Sequence, residues 1–348
     1  MDSNDATTLV LCPPSPSPCP SKPKKEHQHT SDYHEFNEAS EFLESNLLQK
    51  QPKQQLAKQF LWPSGDLVHS NEQQELKEPL IDMDGFFRGD AVATAGAAQL
   101  LREACMKHGC FQITNHGVDL DLIRAAHDEV DTIFNLPLTK KLSARRIPDN
   151  LSGYSGAHSH RFSSKLPWKE TFSFRYKFNS NLHLHVVDYF KSVLGEDFEH
   201  TGSAYQRYCE AMKELTLMIM ELLAISLGVD RMHYRKFFQD GRSPSTRSLG
   251  CKLGDTFMAL SNGRYKSCLH RALVNKEKKR RSMAFFVSPR EDKIVRPPED
   301  LFGRQEPRKY PDFTWSDLLE FTEKHYRSDV ETLKSFIHWF TSNSNPNC

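Results

Sequence analysis

Sixteen histidines are spread along the 348 residues, and the sequence around each decides whether it is a candidate metal ligand. His27, His29 and His34 lie in a Pro- and Gln-rich stretch, while His158, His160, His183 and His185 lie in polar loop sequence. A histidine tract of that kind binds metal adventitiously at most. His270 differs because a strand-like pattern surrounds it. Side chains alternate along a strand, so Cys268, His270 and Ala272 share one face and Leu269, Arg271 and Leu273 the other. Downstream, Arg280 and Ser282 share a face that continues to Ala284 and Phe286. If the runs 267–274 and 282–287 close as a hairpin about 275–279, the imidazole approaches the guanidinium and the hydroxyl. That trio suits a metal ion on His270 and a carboxylate ligand held by Arg280 and Ser282. On spacing alone, a core histidine beside a cationic surface turn remains the simpler account.

The elements that must position these residues follow from the rest of the chain. Residues 1–55 are rich in Pro, Ser, Lys, Gln and His, too polar to offset the entropy of ordering, and are expected to form a disordered tail. Residues 56–240 read as mostly helical. The Ala-rich run Ala91 to His108 predicts a helix stopped by Gly109, and Cys110 to Ile113 a short strand. Asp119 opens a second helix with Leu122, Ile123, Ala126, Val130, Ile133 and Phe134 at helical spacing. A long helix is expected from about Ala204 to Gly228 and a short one over His233 to Phe238. Residues 241–348 change character, with strand-like runs, then Pro289, Pro297, Pro298 and Pro307, then a last helix from Thr314. Asp317 completes a capping box there, and Leu318, Leu319, Phe321, Leu333, Phe336, Ile337 and Phe340 supply the apolar face. Helices flanking a β-rich centre make the fold class α+β.

Composition narrows the function. Lys+Arg number 46 against 45 Asp+Glu, so the net charge of +1 exerts no general pull on nucleic acid or acidic membranes. The cationic run from Lys276 to Arg281 falls in the expected hairpin turn and is read as part of that turn, with no nucleic-acid partner. None of the eight cysteines forms a CxxC pair, which argues against a zinc site or a disulfide framework. The most apolar stretch, Leu215 to Val229, is interrupted by Glu221 and is too short to span a bilayer. A monomeric protein of the cytoplasm, with no membrane partner, is expected.

The same residues carry a family resemblance. Asp255-Thr256-Phe257-Met258-Ala259-Leu260-Ser261-Asn262-Gly263-Arg264-Tyr265-Lys266-Ser267-Cys268-Leu269-His270-Arg271 resembles the segment around the distal metal histidine of plant 2-oxoglutarate/Fe(II)-dependent dioxygenases. Arg280-Arg281-Ser282 is similar to that family's R-x-S motif, and Phe111 to Gly117 to its N-terminal NHG region. Leu166-Pro167-Trp168-Lys169-Glu170-Thr171 resembles the LPWKET motif of the gibberellin 20-oxidase subfamily. The resemblance implies a jelly-roll (double-stranded β-helix) core wrapped by helices, and a reaction using Fe(II), 2-oxoglutarate and O₂, with ascorbate as reductant. It implies His270 as a metal ligand, Arg280 and Ser282 on the far carboxylate of 2-oxoglutarate, and a substrate pocket shaped near Trp168 and Lys169. The implied small-molecule substrates are C20 gibberellin precursors, oxidised at carbon 20.

One departure stands out against that pattern. The family's other two ligands come from an H-x-D motif ahead of the Asp255 segment, following a motif resembling NYYPPC, and neither is present. None of the sixteen histidines is followed two residues later by Asp. The window from Gly241 to Ser288 has room for about four or five strand-and-turn units, against about eight strands in a jelly roll. The expectation is a core short of central strands, by an internal deletion near residues 242–252. The alternative to an active oxidase is therefore a catalytically dead, shortened form of one.

Overall fold

The computed structural model describes residues 6–9, 79–147, 152–156, 169–177, 186–239, 242–243, 250–268, 270, 280–303, 306–325 and 331–344. Apart from residues 6–9, the expected tail lies outside them. After strands β1 (Ala6–Leu9) and β2 (Leu80–Asp82) come helices α1 (Asp84–Phe87) and α2 (Ala91–Lys107). Asp90 caps α2 by accepting from the amides of Val92 and Ala93 at 2.9 and 3.0 Å, which satisfies two of its orphan donors. Gly109, at φ 69°, turns the chain out of it into β3 (Cys110–Thr114). Helix α3 (Leu120–Phe134) opens on Asp119, whose carboxylate accepts from the Asp121 amide at 2.8 Å. It buries Ile123, Ala126, Val130 and Ile133, spaced three and four apart.

Next come α4 (Leu138–Ser143), β4 (Gly153–Gly156), β5 (Glu170–Ser173), β6 (Tyr176–Lys177) and α5 (Val186–Leu194). The 29-residue helix α6 (Glu199–Leu227) begins earlier than its apolar spacing predicts and stops at Gly228, φ 75°. Helices α2, α3, α5 and α7 (His233–Phe238) pack against it, and the core is continuous along its length.

The C-terminal third departs from expectation. It holds β7 (Arg242–Ser243), β8 (Gly250–Lys252), helix α8 (Asp255–Leu260), β9 (Arg280–Met283), β10 (Ile294–Val295) and β11 (Phe313–Thr314). Asp255 to Leu260 is therefore helical, not one of four or five strand units. Gly254 has no side chain to commit to a strand, and Phe257, Ala259 and Leu260 are buried by helical turns. Ser267, Cys268 and His270 lie in no strand, and β9 takes β1 as a parallel partner, with Ala6 opposite Arg280. The expected hairpin of 267–274 with 282–287 rests on residues 269 and 271–279, which lie outside the described residues. Among the described residues the largest sheet has three strands, in the order β2-β3-β8, and the others have two. The last helix is two, α9 (Trp315–His325) and α10 (Thr332–Ser344), packed through Phe321, Phe336 and Trp339. No helix among the described residues is long and apolar enough to cross a membrane. Cys105, Cys110, Cys209, Cys251 and Cys268 are free thiols.

The capping box at α9 is present in full. The Thr314 amide and hydroxyl each donate to Asp317 Oδ2 at 2.7 Å, and the Asp317 amide donates to Thr314 Oγ1 at 3.2 Å. Each partner serves the other, so Thr314→Ala and Asp317→Ala should each cost about 1 kcal/mol in urea unfolding. The double variant should cost little more than either alone. Fully additive costs would show that the two residues act separately.

Candidate functional site

The segment that leads to His270 is fixed at several points before it arrives there. Residues 261–265 form a tight turn in which Asn262 is fully buried at φ 53°. Its side-chain amide donates to the carbonyls of Pro307 and Leu301 at 3.2 and 3.4 Å and accepts from the Lys309 amide at 2.9 Å. Arg264 donates to the Leu301 carbonyl at 3.2 Å and to Glu306 at 2.8 Å, and holds the Glu306 carboxyl below its usual range. The hydroxyls of Tyr265 and Ser226, on α6, meet at 2.7 Å. The chain then passes so close to Gly109 that a Cβ there would lie 2.3 Å from the Lys266 carbonyl oxygen. The Lys266 amide donates to Cys105 O at 3.0 Å and the Cys268 amide to Leu253 O at 2.9 Å. Burial pushes the Asp255 carboxyl up, against the lowering effect of its hydrogen bond with Ser267. Burial likewise pushes the Cys251 thiol up to about 12, which disfavours the reactive thiolate.

Two residues past that anchor, His270 is exposed, with Nδ1 3.1 Å from the Cys268 carbonyl oxygen. A proton on Nδ1 shared with that carbonyl leaves Nε2 as the nitrogen able to bind a metal. Arg280 to Met283 form strand β9, and strand geometry puts Arg280 and Ser282 on one face and Arg281 and Met283 on the other. Arg280 is exposed and Ser282 half-buried. On the opposite face Met283 is buried, and Arg281 pairs with Asp131 of α3 at 2.7 Å. That pair clamps the strand and directs the Arg280 and Ser282 side away from α3.

Lys169 is half-buried at the start of β5, and Trp168 lies outside the described residues. The stretch is held by a charge cluster that sequence reasoning missed. Lys141 of α4 has a side chain only 2% exposed, against 21% for its partner Glu170. Its ammonium donates to Glu170 Oε1 at 2.6 Å and to the Phe134 carbonyl at 3.2 Å. The Tyr154 hydroxyl donates to the same Oε1 at 2.7 Å, and the ammonium sits 5.4 Å from the centre of the Tyr154 ring. On β4 and β5 Tyr154 faces Phe172 and Gly156 faces Glu170, so Tyr154 and Glu170 are diagonal neighbours on one face. A signal was present in the sequence. Lys141 lies three residues after Leu138 on the buried side of α4, and an inward lysine requires an acceptor.

The implied iron centre can be tested against these donors. Non-haem Fe(II) oxygenases hold the metal with two imidazoles and one carboxylate on one face of the ion. Among the described residues, no group of three or more His, Cys, Asp or Glu side chains is placed to hold a metal ion. Among the described residues, the donor set does not fit the group.

Comparison with known proteins places the chain. Residues 79–189 match the family described as non-haem dioxygenase in morphine synthesis N-terminal, and residues 219–289 match the 2OG-Fe(II) oxygenase superfamily. Gibberellin 20 oxidase 2 of Oryza sativa subsp. japonica is 44% identical over 343 aligned positions, covering 84% of this chain and 86% of the rice protein. Gibberellin 20 oxidase 2 of Arabidopsis thaliana is 40% identical over 374 positions, covering 93% and 97%. Among solved structures, that of JOX2 in complex with 2OG, Fe and JA has a TM-score of 0.63 at 22% identity, over 84% of this chain and 97% of that one. Neurospora crassa T7H with alpha-KG gives 0.56 at 16% identity, over 70% and 94%.

The fold and the matched segments define a 2OG-Fe(II) oxygenase, an oxidoreductase of a class that depends on Fe(II) and 2-oxoglutarate. Within that class the chain belongs to the gibberellin 20-oxidase family. The alignments also differ in length from the chain. The Arabidopsis alignment runs to 374 positions, yet 93% of 348 residues is about 324, so about 50 of its positions have no counterpart here. The rice alignment gives the same deficit, 343 positions against about 292 residues.

The Lys141–Glu170 pair makes a stability prediction. Glu170→Leu leaves a buried ammonium without its carboxylate and should cost about 3 kcal/mol in urea unfolding, whereas Lys141→Met/Glu170→Leu should recover at least about 1 kcal/mol of that loss. Strictly additive losses would mean that the pair is not coupled.

Proposed function

We propose that this protein is a gibberellin 20-oxidase-type dioxygenase whose reaction is the stepwise oxidation of carbon 20 of C20 gibberellin precursors. The observation that carries the reading is 44% identity to the rice gibberellin 20 oxidase over most of both chains, with the Leu166 to Thr171 motif included in the aligned family segment. In this reading residues 241–348 hold what this chain has of the oxygenase domain, a jelly-roll core in its relatives, and residues 56–240 form the helical region that packs against it. Arg280 and Ser282 hold the far carboxylate of 2-oxoglutarate. A guanidinium supplies two parallel donors to a carboxylate and a hydroxyl adds a third, a geometry that fixes the orientation of a dicarboxylate. Asp131, by pairing with Arg281, keeps that face of β9 presented. The stretch at Trp168 and Lys169, anchored by Glu170, shapes the pocket for the terpenoid substrate. His270 is the one imidazole that this chain retains toward the family's iron centre.

The test is made on the chain supplied with the rice protein's unmatched positions between Ser243 and Gly250. Succinate release, measured by mass spectrometry, should depend on a C20 gibberellin. Arg280→Met should raise the KM for 2-oxoglutarate by roughly 10- to 100-fold, in keeping with the loss of a charge-assisted bidentate contact. Succinate released equally without gibberellin would assign the protein to a different substrate.

A further inference from the structure

We propose that this chain lacks, between Ser243 and Gly250, one internal segment of about 50 residues that its relatives carry. With that segment went two of the three iron ligands, so the 348-residue chain holds no Fe(II) at the family site. The inference rests on the oxygenase reading above and goes beyond it, because it concerns what this form of the protein does. Four independent observations converge on it.

The first is the deficit of about 50 positions, which recurs in alignments to a rice and an Arabidopsis protein. Both alignments cover more than four-fifths of the chain, so the missing positions fall inside it. The second is the sequence itself, where none of sixteen histidines has Asp two residues later. The third is the donor geometry, since His270 is exposed and no three-donor group exists among the described residues.

The fourth observation locates the joint. Strand β7 (Arg242–Ser243) adds to β6, while β8 (Gly250–Lys252) adds to β3, a strand of a different sheet. Only residues 244–249 separate the two. The superfamily match at 219–289 runs straight across this point. Sequential strands usually neighbour each other in space, and here six residues connect strands that serve separate sheets. The layout suits two ends brought together by loss of what lay between them.

The chemical consequence follows from coordination. Three protein donors neutralise Fe(II) and set its geometry, and a single imidazole does neither. An exposed histidine in water exchanges its metal with solvent and buffer.

The experiment loads the protein with Fe(II) under anaerobic conditions, removes unbound metal by desalting, and measures iron per chain by mass spectrometry. The unmodified chain and its His270→Ala variant should both retain less than about 0.1 iron. The chain carrying the rice positions between Ser243 and Gly250 should retain about one, a rise of about tenfold, and His270→Ala in that background should remove it. Stoichiometric iron in the unmodified chain, lost on His270→Ala, would overturn the proposal by showing that other residues complete the site. A completed protein that folds by circular dichroism yet binds no iron would overturn it as well. If the completed protein does not fold, the first pair of measurements still decides the claim about this chain. If it binds iron and releases succinate without any gibberellin dependence, this inference stands and the substrate reading fails.

Discussion

The burial of one helix organises the rest of the described structure. Helix α6 places Tyr205, Tyr208, Met212, Leu215, Ile219, Leu222, Leu223 and Leu227 in the core, and a helix buried on nearly every side must be surrounded by others. Helices α2, α3, α5 and α7 supply those partners. The one carboxylate buried along it, Glu221, is matched by Arg231 and Arg235 at 2.6 and 2.9 Å, which keeps the charge from opposing burial. The candidate site takes its position from the same helix. Ser226 of its last turn holds Tyr265, and the Ser226 carbonyl accepts from Arg102 of α2 at 3.0 Å. The segment carrying His270 is thus tied to the core five residues before the histidine.

What could be read from sequence was local. Helix α2 and its Gly109 stop, the Asp119 cap of α3, the Gly228 end of α6 and the Thr314–Asp317 box depend on residues within one or two turns, and their spacing reports them directly. The candidate site residues were named by motif rather than by periodicity. Two kinds of feature were not legible. Strand pairing depends on residues far apart in the chain, so nothing near Arg280 reveals that its strand neighbour is Ala6–Leu9. The helical state of Asp255 to Leu260 is likewise set by what Phe257 and Leu260 pack against. The Glu170 cluster joins residues 29 positions apart, and its one local trace is Lys141 sharing the buried side of α4 with Leu138.

One core runs through both halves of the chain, but they are built differently. The half before residue 240 is organised by α6 and the helices packed on it, with the Lys141–Glu170 pair held beside β4 and β5. The half after it carries His270 outside any strand and Arg280 and Ser282 on β9, and its strands are short and divided among small sheets. Membership of the gibberellin 20-oxidases is shown by the relatives, while among the described residues no group of three donors is placed to hold a metal ion.

The central claim is that this chain is a shortened product of a longer gene, with one internal segment of about 50 residues left out between Ser243 and Gly250. The most direct measurement is the genomic DNA sequence between the codons for Ser243 and Gly250. The account predicts an intervening stretch with about 150 nucleotides of open reading frame, three for each of the about 50 unmatched positions, encoding a His-x-Asp motif. An uninterrupted coding sequence across that junction would contradict it.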